Sequence, residues 1–383
     1  MQQSTDLLSE ATRQLEVCNS CRYCEGFCAV FPALERQPEV VPAQIGYLAN
    51  LCHDCRACYY ACPFTEPHEF AINIPLLMAN VRQDVYRRYT WPRLFAGVFQ
   101  NGFRFALPLI AFGLALAAAA LFALHPASDI LTVRHGTGSF YQVLPWLLLV
   151  IPAMLLSLYA LVVICIGGFR FWRDSRGLVA PPVDVRIFAR AVVDVLRLRW
   201  LEGGGDGCYY PADRPSRLRT VFHSLVFYGF GLALLSTSVA ALYQDVLGRF
   251  PPYPLLSVPV VAGTLGGLAM VFGCIGLALM KRQSAVRMAD PSMTELDYAF
   301  LTVLGLASLT GLMTLALRDT ALMGVMLSIH VGTLGALYLT IPYGKLIHPV
   351  YRGLAILRNR LDQQRDVEAA SPDDRRHVGQ GVA

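Results

Sequence analysis

The chain has 383 residues, 55% of them hydrophobic and only 15% charged, with a mean hydropathy of +0.46. That balance excludes an ordinary soluble enzyme and marks a membrane protein. The net charge of +5 lies mostly in arginines flanking apolar runs, so it reports membrane orientation and gives no footprint for a nucleic acid.

Residues 1–17 are polar, with Asp6, Glu10 and Glu16, and contain no apolar stretch of the secretory kind. The domain that follows is therefore expected to stay in the reducing cytoplasm. Eight of the 11 cysteines then fall in two near-identical runs, Cys18, Cys21, Cys24, Cys28 and Cys52, Cys55, Cys58, Cys62, the second closed by Pro63. Each reads C-x2-C-x2-C-x3-C, a spacing in which three thiolates grip one iron–sulfur cube while the fourth reaches a neighbouring one. Two [4Fe-4S] clusters then require a crossed assignment: Cys18, Cys21, Cys24 and Cys62 on one, Cys52, Cys55, Cys58 and Cys28 on the other. Cys28 is followed by Ala29 and meets a proline only at Pro32, a departure from the ferredoxin pattern. Zinc would leave the triple spacing unexplained, and a disulfide framework belongs to small secreted chains.

The residues around these cysteines resemble a family over about the first 80 positions. Gln14-Leu15-Glu16-Val17-Cys18, Cys21-Arg22-Tyr23-Cys24-Glu25-Gly26-Phe27-Cys28, Leu48-Ala49-Asn50-Leu51-Cys52-His53 and Pro67-His68-Glu69-Phe70-Ala71-Ile72-Asn73-Ile74-Pro75 look like the TcuB/CitB proteins of tricarballylate and citrate utilisation. The resemblance implies a membrane iron–sulfur protein. Such a protein reoxidises the reduced FAD of a partner tricarballylate dehydrogenase and passes the electrons toward membrane quinone.

In chain order, Pro42 can open a helix carrying Ile45, Leu48 and Leu51, which favours a helical ferredoxin-like domain over residues 1–90. Pro75 can open another, with Leu77, Val81 and Val85 leading to Arg87-Arg88. Trp91, Phe95, Phe99 and Phe103 form an expected interfacial belt. Six stretches then meet the ~20 residues that a ~30 Å hydrocarbon core requires: 105–124, 145–168, 218–243, 255–280, 297–317 and 321–347. The last two are joined tightly through Arg318-Asp319-Thr320. The predicted fold is mainly α, a two-cluster domain followed by a six-helix transmembrane bundle over 91–350, with a basic tail at 351–383 that is disordered at its end.

A cytoplasmic amino terminus puts the arginine-rich loop at about 170–218 inside, together with 281–297 and both termini, in the inner membrane. Within that loop Pro181-Pro182 precedes Val185, Phe188, Val192, Val195 and Leu196, and Gly203-Gly204-Gly205 ends the run. Either an interface helix or a connector packed on the cluster domain fits. No dinucleotide fingerprint, P-loop or nucleophile elbow is present.

Cys165, Cys208 and Cys274 stand at no ligand spacing and read as buried small hydrophobes. His53 and His68 beside the cluster cysteines could tune a potential, but packing or surface roles explain them equally simply. Gly263, Gly266, Gly267, Gly273 and Gly276 suit close helix packing, and Tyr343 and Lys345 read as interfacial anchors rather than a quinone site. Intramembrane histidines are costly and usually functional. His330 and His348 are 18 residues apart, five turns of one helix and about 27 Å along its axis. The third span offers His223 opposite them. A b-type haem between His223 and His348 is therefore expected, with His330 a candidate for a second.

The leading reading is an electron-transfer oxidoreductase subunit, with no flavin site of its own, that works with a separate FAD-dependent tricarballylate dehydrogenase. Electrons would pass through two clusters and the haem to quinone. The same modules would serve the quinone-reducing arm of a different respiratory complex, heterodisulfide-reductase-like or nitrate-reductase-gamma-like. Against a cluster-regulated sensor or transporter, the spans hold almost no carboxylates and no repeated broken helices.

Overall fold

The structure is a computed structural model that describes residues 2–37, 40–175, 183–203, 207–284 and 286–369. Five helices build the N-terminal domain: α1 (Gln2–Cys21), α2 (Val30–Glu35), α3 (Pro42–Leu51), α4 (Ala57–Tyr60) and α5 (Ile74–Tyr89). Their starts follow local rules. Pro42 sits in the first turn of α3, where its missing N–H costs nothing, and the Asn73 side chain caps α5 by accepting from Leu76 N–H at 3.2 Å. Leu15 of α1, Ile45, Leu48 and Leu51 of α3 and Met78 and Val81 of α5 close into one core. This is the helical ferredoxin-like arrangement that the periodicity predicts.

Six helices are long and apolar enough to cross a membrane: α6 (Gly102–Leu124), α7 (Trp146–Ser175), α9 (Leu218–Asp245), α10 (Val258–Gln283), α11 (Pro291–Ala316) and α12 (Met323–Thr340), the last span continuing through one further turn to Tyr343. The chain is a multi-pass membrane protein. α7 runs past the expected Gly168, and its added turns bring Phe171 edge-on to Tyr89 and to Tyr351. The bundle is thereby tied to the N-terminal domain.

The sixth span departs from expectation at its end. Pro342 lacks an N–H and its ring opposes the carbonyl four residues back, and Gly344 adopts an extended backbone. α12 therefore stops at Thr340 and gives way to 3₁₀ turns at Ile341–Tyr343 and Lys345–Ile347. His348 then opens a new helix, α13 (His348–Ala369). His330 and His348 thus lie on different helices, and the five-turn spacing inferred from 348 − 330 does not hold.

The expected basic tail begins as α13, which packs on α3, α7 and the connector helix α8 (Val185–Leu196); residues 370–383 lie outside the described residues, as do Pro181, Pro182, Gly204 and Gly205. α8 meets α13 through Ile187, Ala191 and Asp194, the Asp194 carboxylate accepting from Arg360 at 2.6 and 2.9 Å. On its opposite side Val185, Phe188, Val192 and Leu196 are exposed, and the Leu196 carbonyl accepts from Tyr228 of α9 at 2.7 Å. Packing thus occupies one side of the connector and leaves an apolar side facing outward beside the bundle. A two-residue ribbon, β1 (Cys208–Tyr209) paired antiparallel with β2 (Pro215–Ser216), follows.

One close helix crossing joins α6 and α12 at Gly113 and Gly332. A Cβ placed on Gly113 would stand 2.3 Å from the Gly332 carbonyl oxygen, and one on Gly332 would stand 2.7 Å from that of Gly113. Without water to drive association, such backbone approach supplies the packing that holds spans together. Gly113→Leu or Gly332→Leu should cost at least ~1–3 kcal/mol by forcing the backbones apart. The expected readout is a lowered thermal midpoint in detergent, while Phe112→Leu on the adjacent outward face leaves it unchanged.

Candidate functional site: two cysteine sets and a histidine pair

The repeat in the sequence is a repeat in the backbone. Arg22 follows Cys21 and Arg56 follows Cys55, and both are left-handed, at φ 55° and 65°. A non-glycine residue accepts this only where its surroundings hold it. Arg56 is fully buried: its guanidinium lies 4.3 Å from the Tyr210 ring centre and 3.6 Å from Asp54, and it donates to the Ser284 hydroxyl.

Cys18, Cys21 and Cys24 line an open pocket, and the fourth cysteine on its wall is Cys62, from the other run. Cys28 correspondingly lies beside Cys52 and Cys55, and Cys58 beside Cys55, Cys28 and Cys52. The fold therefore brings the cysteines together in the crossed sets. Burial, and then mutual repulsion among the sulfurs, pushes the thiols of Cys18 and Cys24 up to about 12 and those of Cys28 and Cys58 well above their ordinary value. Thiolates here need a cation to stabilise them, and binding one would release protons. A single zinc ion at ~2.3 Å from each sulfur would draw its ligands tightly together; among the described residues no three cysteine, histidine or acidic side chains converge so. Four sulfurs around a pocket fit a larger inorganic core. The two sets adjoin where Cys24 neighbours Cys55 and Cys58.

Three arginines hold the backbone of the second run. Arg82 of α5 donates to the carbonyls of Ala49 (3.0 Å) and Cys52 (2.8 Å), and Arg352 of α13 to those of Asn50 (3.3 Å) and Cys52 (2.8 Å). Arg219 of α9 donates to His53 (2.6 Å) and Asp54 (3.2 Å), and also to the Cys208 sulfur at 3.4 Å. Cys208 is fully buried against Cys55, its thiol donating to the Leu201 carbonyl at 2.8 Å, and Tyr209 N–H donates to the Cys55 carbonyl at 2.8 Å. His53 is buried with its ring 2.9 Å from the Leu51 carbonyl, and His68 packs edge-on to Phe64 and tilted against Phe70.

His223 and His348 are brought together, their ring centres 6.3 Å apart and the planes at 78°. Two imidazoles on opposite sides of one ion, with bonds of ~2.0 Å, have centres roughly 6 Å apart. His348 Nδ1 is 2.6 Å from the Lys345 carbonyl, the contact that orients a ligating histidine and leaves Nε2 free. Burial, reinforced by Arg352 and Lys345, holds His348 neutral, well below its ordinary pKa. His223 Nδ1 is buried without a hydrogen-bond partner. Among the spanning helices α9 packs most extensively along α10. The pair thus fits a flat iron macrocycle. His330, in contrast, is 3.1 Å from the Thr310 hydroxyl of α11 and stacks on no other imidazole among the described residues. His125 is turned to the Val143 carbonyl at 2.9 Å and Asp129 at 3.4 Å.

A family model described as the citrate utilization protein B Fer4-like domain matches residues 11–88, and a second, citrate utilization protein B, matches residues 102–370. The chain belongs to the citrate utilization protein B family. It is 40% identical over 372 residues to "Citrate utilization protein B" of Escherichia coli, an alignment covering 97% of this chain and 96% of that protein. No solved structure matches the chain. The family boundary near residue 100 falls where α5 passes into the first span.

Sequence reasoning missed Arg82 and Arg352, which it did not single out, Arg219, which counted only as an orientation charge, and Cys208, which read as a small hydrophobe. It also missed Asp297, which holds Lys281 at 2.7 Å and Lys345 at 2.6 Å where α10, α11 and the broken end of the sixth span converge. Lys345 is thus an ion-pair partner and no lipid anchor, its ammonium pulled down to about 8 by burial, with Asp297 opposing. The crossed sets predict opposite outcomes for two similar variants. Cys62→Ser should remove the EPR signal of the centre on Cys18, Cys21 and Cys24, and Cys28→Ser that of the other; loss of the signal of each residue's own run instead would contradict the crossing.

Proposed function

We propose that this protein is the membrane electron carrier of a tricarboxylate-oxidising pathway. It accepts electrons from the reduced FAD of a partner tricarballylate dehydrogenase and delivers them to quinone. Two [4Fe-4S] clusters are held by the crossed cysteine sets, and a b-type haem by His223 and His348. The observation that supports the reading is that the two cysteine sets adjoin, and that Arg219 and Arg352, which bond the backbone of the second run, each stand four residues from one of the two neighbouring histidines. The name of the E. coli relative points to a tricarboxylate pathway.

The bound groups supply one-electron redox chemistry, and the chain supplies spacing, shielding and charge. A reduced flavin loses two electrons and two protons, and a quinone gains two of each. The carrier forms and breaks no covalent bond with either. In this reading the arginine-rich side of the bundle is cytoplasmic, so flavoprotein and cysteine domain share a compartment. His330 takes no part as a ligand, since its ring serves the α11–α12 contact.

Two measurements test the proposal. Purified protein mixed anaerobically with the reduced flavoprotein and a quinone analogue should reoxidise the flavin, and absence of transfer would refute the reading. A pyridine-haemochrome assay should detect haem in wild type and His330→Ala and little in His223→Ala or His348→Ala. Haem retained in both of the latter would place its ligands elsewhere.

A further inference from the structure

The two cysteine sets are chemically alike but sit in different surroundings. The pocket of Cys18, Cys21, Cys24 and Cys62 is walled only by residues of the N-terminal domain, between Val17 and Ile72. Cys21 is exposed, and at the rim Tyr23 is 63% exposed. The other set is covered. Cys52 and Cys55 are buried, and Cys55 packs with Cys208, with Met280 at the end of α10 and with Phe222 at the start of α9.

The membrane side repeats one spacing on two helices. On α9, Arg219 reaches the His53 and Asp54 carbonyls and His223 follows four residues later; on α13, His348 comes first and Arg352, which reaches Asn50 and Cys52, follows four residues later. Residues four apart lie on one helix face, about 6 Å along the axis. Each helix therefore offers one histidine to the pair and, one turn away, one arginine to the backbone of the second run. Neither helix could slide by a turn without breaking both contacts.

From this we infer an order: electrons enter at the Cys18 set, the outer centre, pass to the Cys52 set, the inner centre, and leave toward His223 and His348. Arg219 and Arg352 are the positioning residues that join the inner centre to the histidine pair. The inference rests on the electron-transfer reading above and adds a direction to it. Each transfer moves one electron and no atoms, from a dihydroflavin donor to a quinone acceptor. The arginines also favour reduction of the inner centre, because two fixed positive charges stabilise the added electron and their N–H groups polarise the carbonyls around it.

The test is a potentiometric EPR titration of the full-length protein in detergent, with a water-soluble dysprosium complex as an external relaxing agent. In wild type the complex should broaden one [4Fe-4S] signal, the outer, and spare the other. Arg219→Gln and Arg352→Gln should each lower the potential of the spared centre by about tenfold in its reduction equilibrium, ~59 mV for one electron, and leave the broadened one unmoved. Arg219→Lys and Arg352→Lys keep the charge but lose the two-carbonyl fork, and should shift it less. The unmoved outer signal reports that each variant is folded. A shift confined to the broadened centre, an equal shift of both, or no shift would overturn the order. A wild-type protein without any [4Fe-4S] signal would instead sink the functional reading itself.

Discussion

The arginine contacts to the backbone of Ala49–Asp54 are the interaction on which the arrangement depends. A loop carrying several cysteines has few side chains with which to anchor itself, and its carbonyls are buried beside the bundle. Arg82, Arg219 and Arg352 satisfy five of them from three different helices. Charge-assisted bonds of this kind contribute ~1.5–3 kcal/mol each, and losing one would leave a buried carbonyl unpaired. Because the donors come from α5, α9 and α13, the same contacts fix the N-terminal domain to the membrane domain.

α13 makes that junction rigid. Tyr351 is fully buried, stacked on Tyr86 with ring centres 5.4 Å apart and edge-on to Phe171 of α7 at 5.1 Å. Farther along, Arg358 lies 4.9 Å from the ring centre of Tyr47, and Arg360 forks onto the buried Asp194 carboxylate. A charge removed from water in this way must be paired. The long loop between the second and third spans is thereby drawn against α13, whose Arg352 reaches the second cysteine run.

Within the bundle, packing and charge divide the work. Gly113 and Gly332 let α6 and α12 touch backbone to backbone, and Gly229 and Gly266 do the same for α9 and α10. Polar contacts concentrate at the end facing the N-terminal domain, where Asp297 gathers Lys281 and Lys345 and Gln83 donates to Ser292 at 2.6 Å. The far end has contacts of its own, Arg134 to Asp129 at 2.8 Å and Arg318 to the Tyr253 carbonyl at 2.9 Å.

Much of this was legible in the sequence because its causes are local. The C-x2-C-x2-C-x3-C runs, the apolar stretches and the proline starts of α3 and α5 each depend on residues a few positions apart, and so did the family resemblance. The crossed pairing of Cys62 with Cys18 followed from the spacing that sends the fourth thiolate of a run to the neighbouring cluster, and the pairing of His223 with His348 from topology. What the sequence could not determine was which long-range partners the arginines would find. Arg219 and Arg352 are indistinguishable by type from the arginines that merely face the headgroups, and only the docking of α9 and α13 on the second run decides that they bond its carbonyls. The same holds for His330, which Thr310 meets only once α11 and α12 are packed, and for the break at Pro342. A proline can be read as a kink, but that the chain turns there into a helix lying on the N-terminal domain depends on the surface waiting to bury Tyr351.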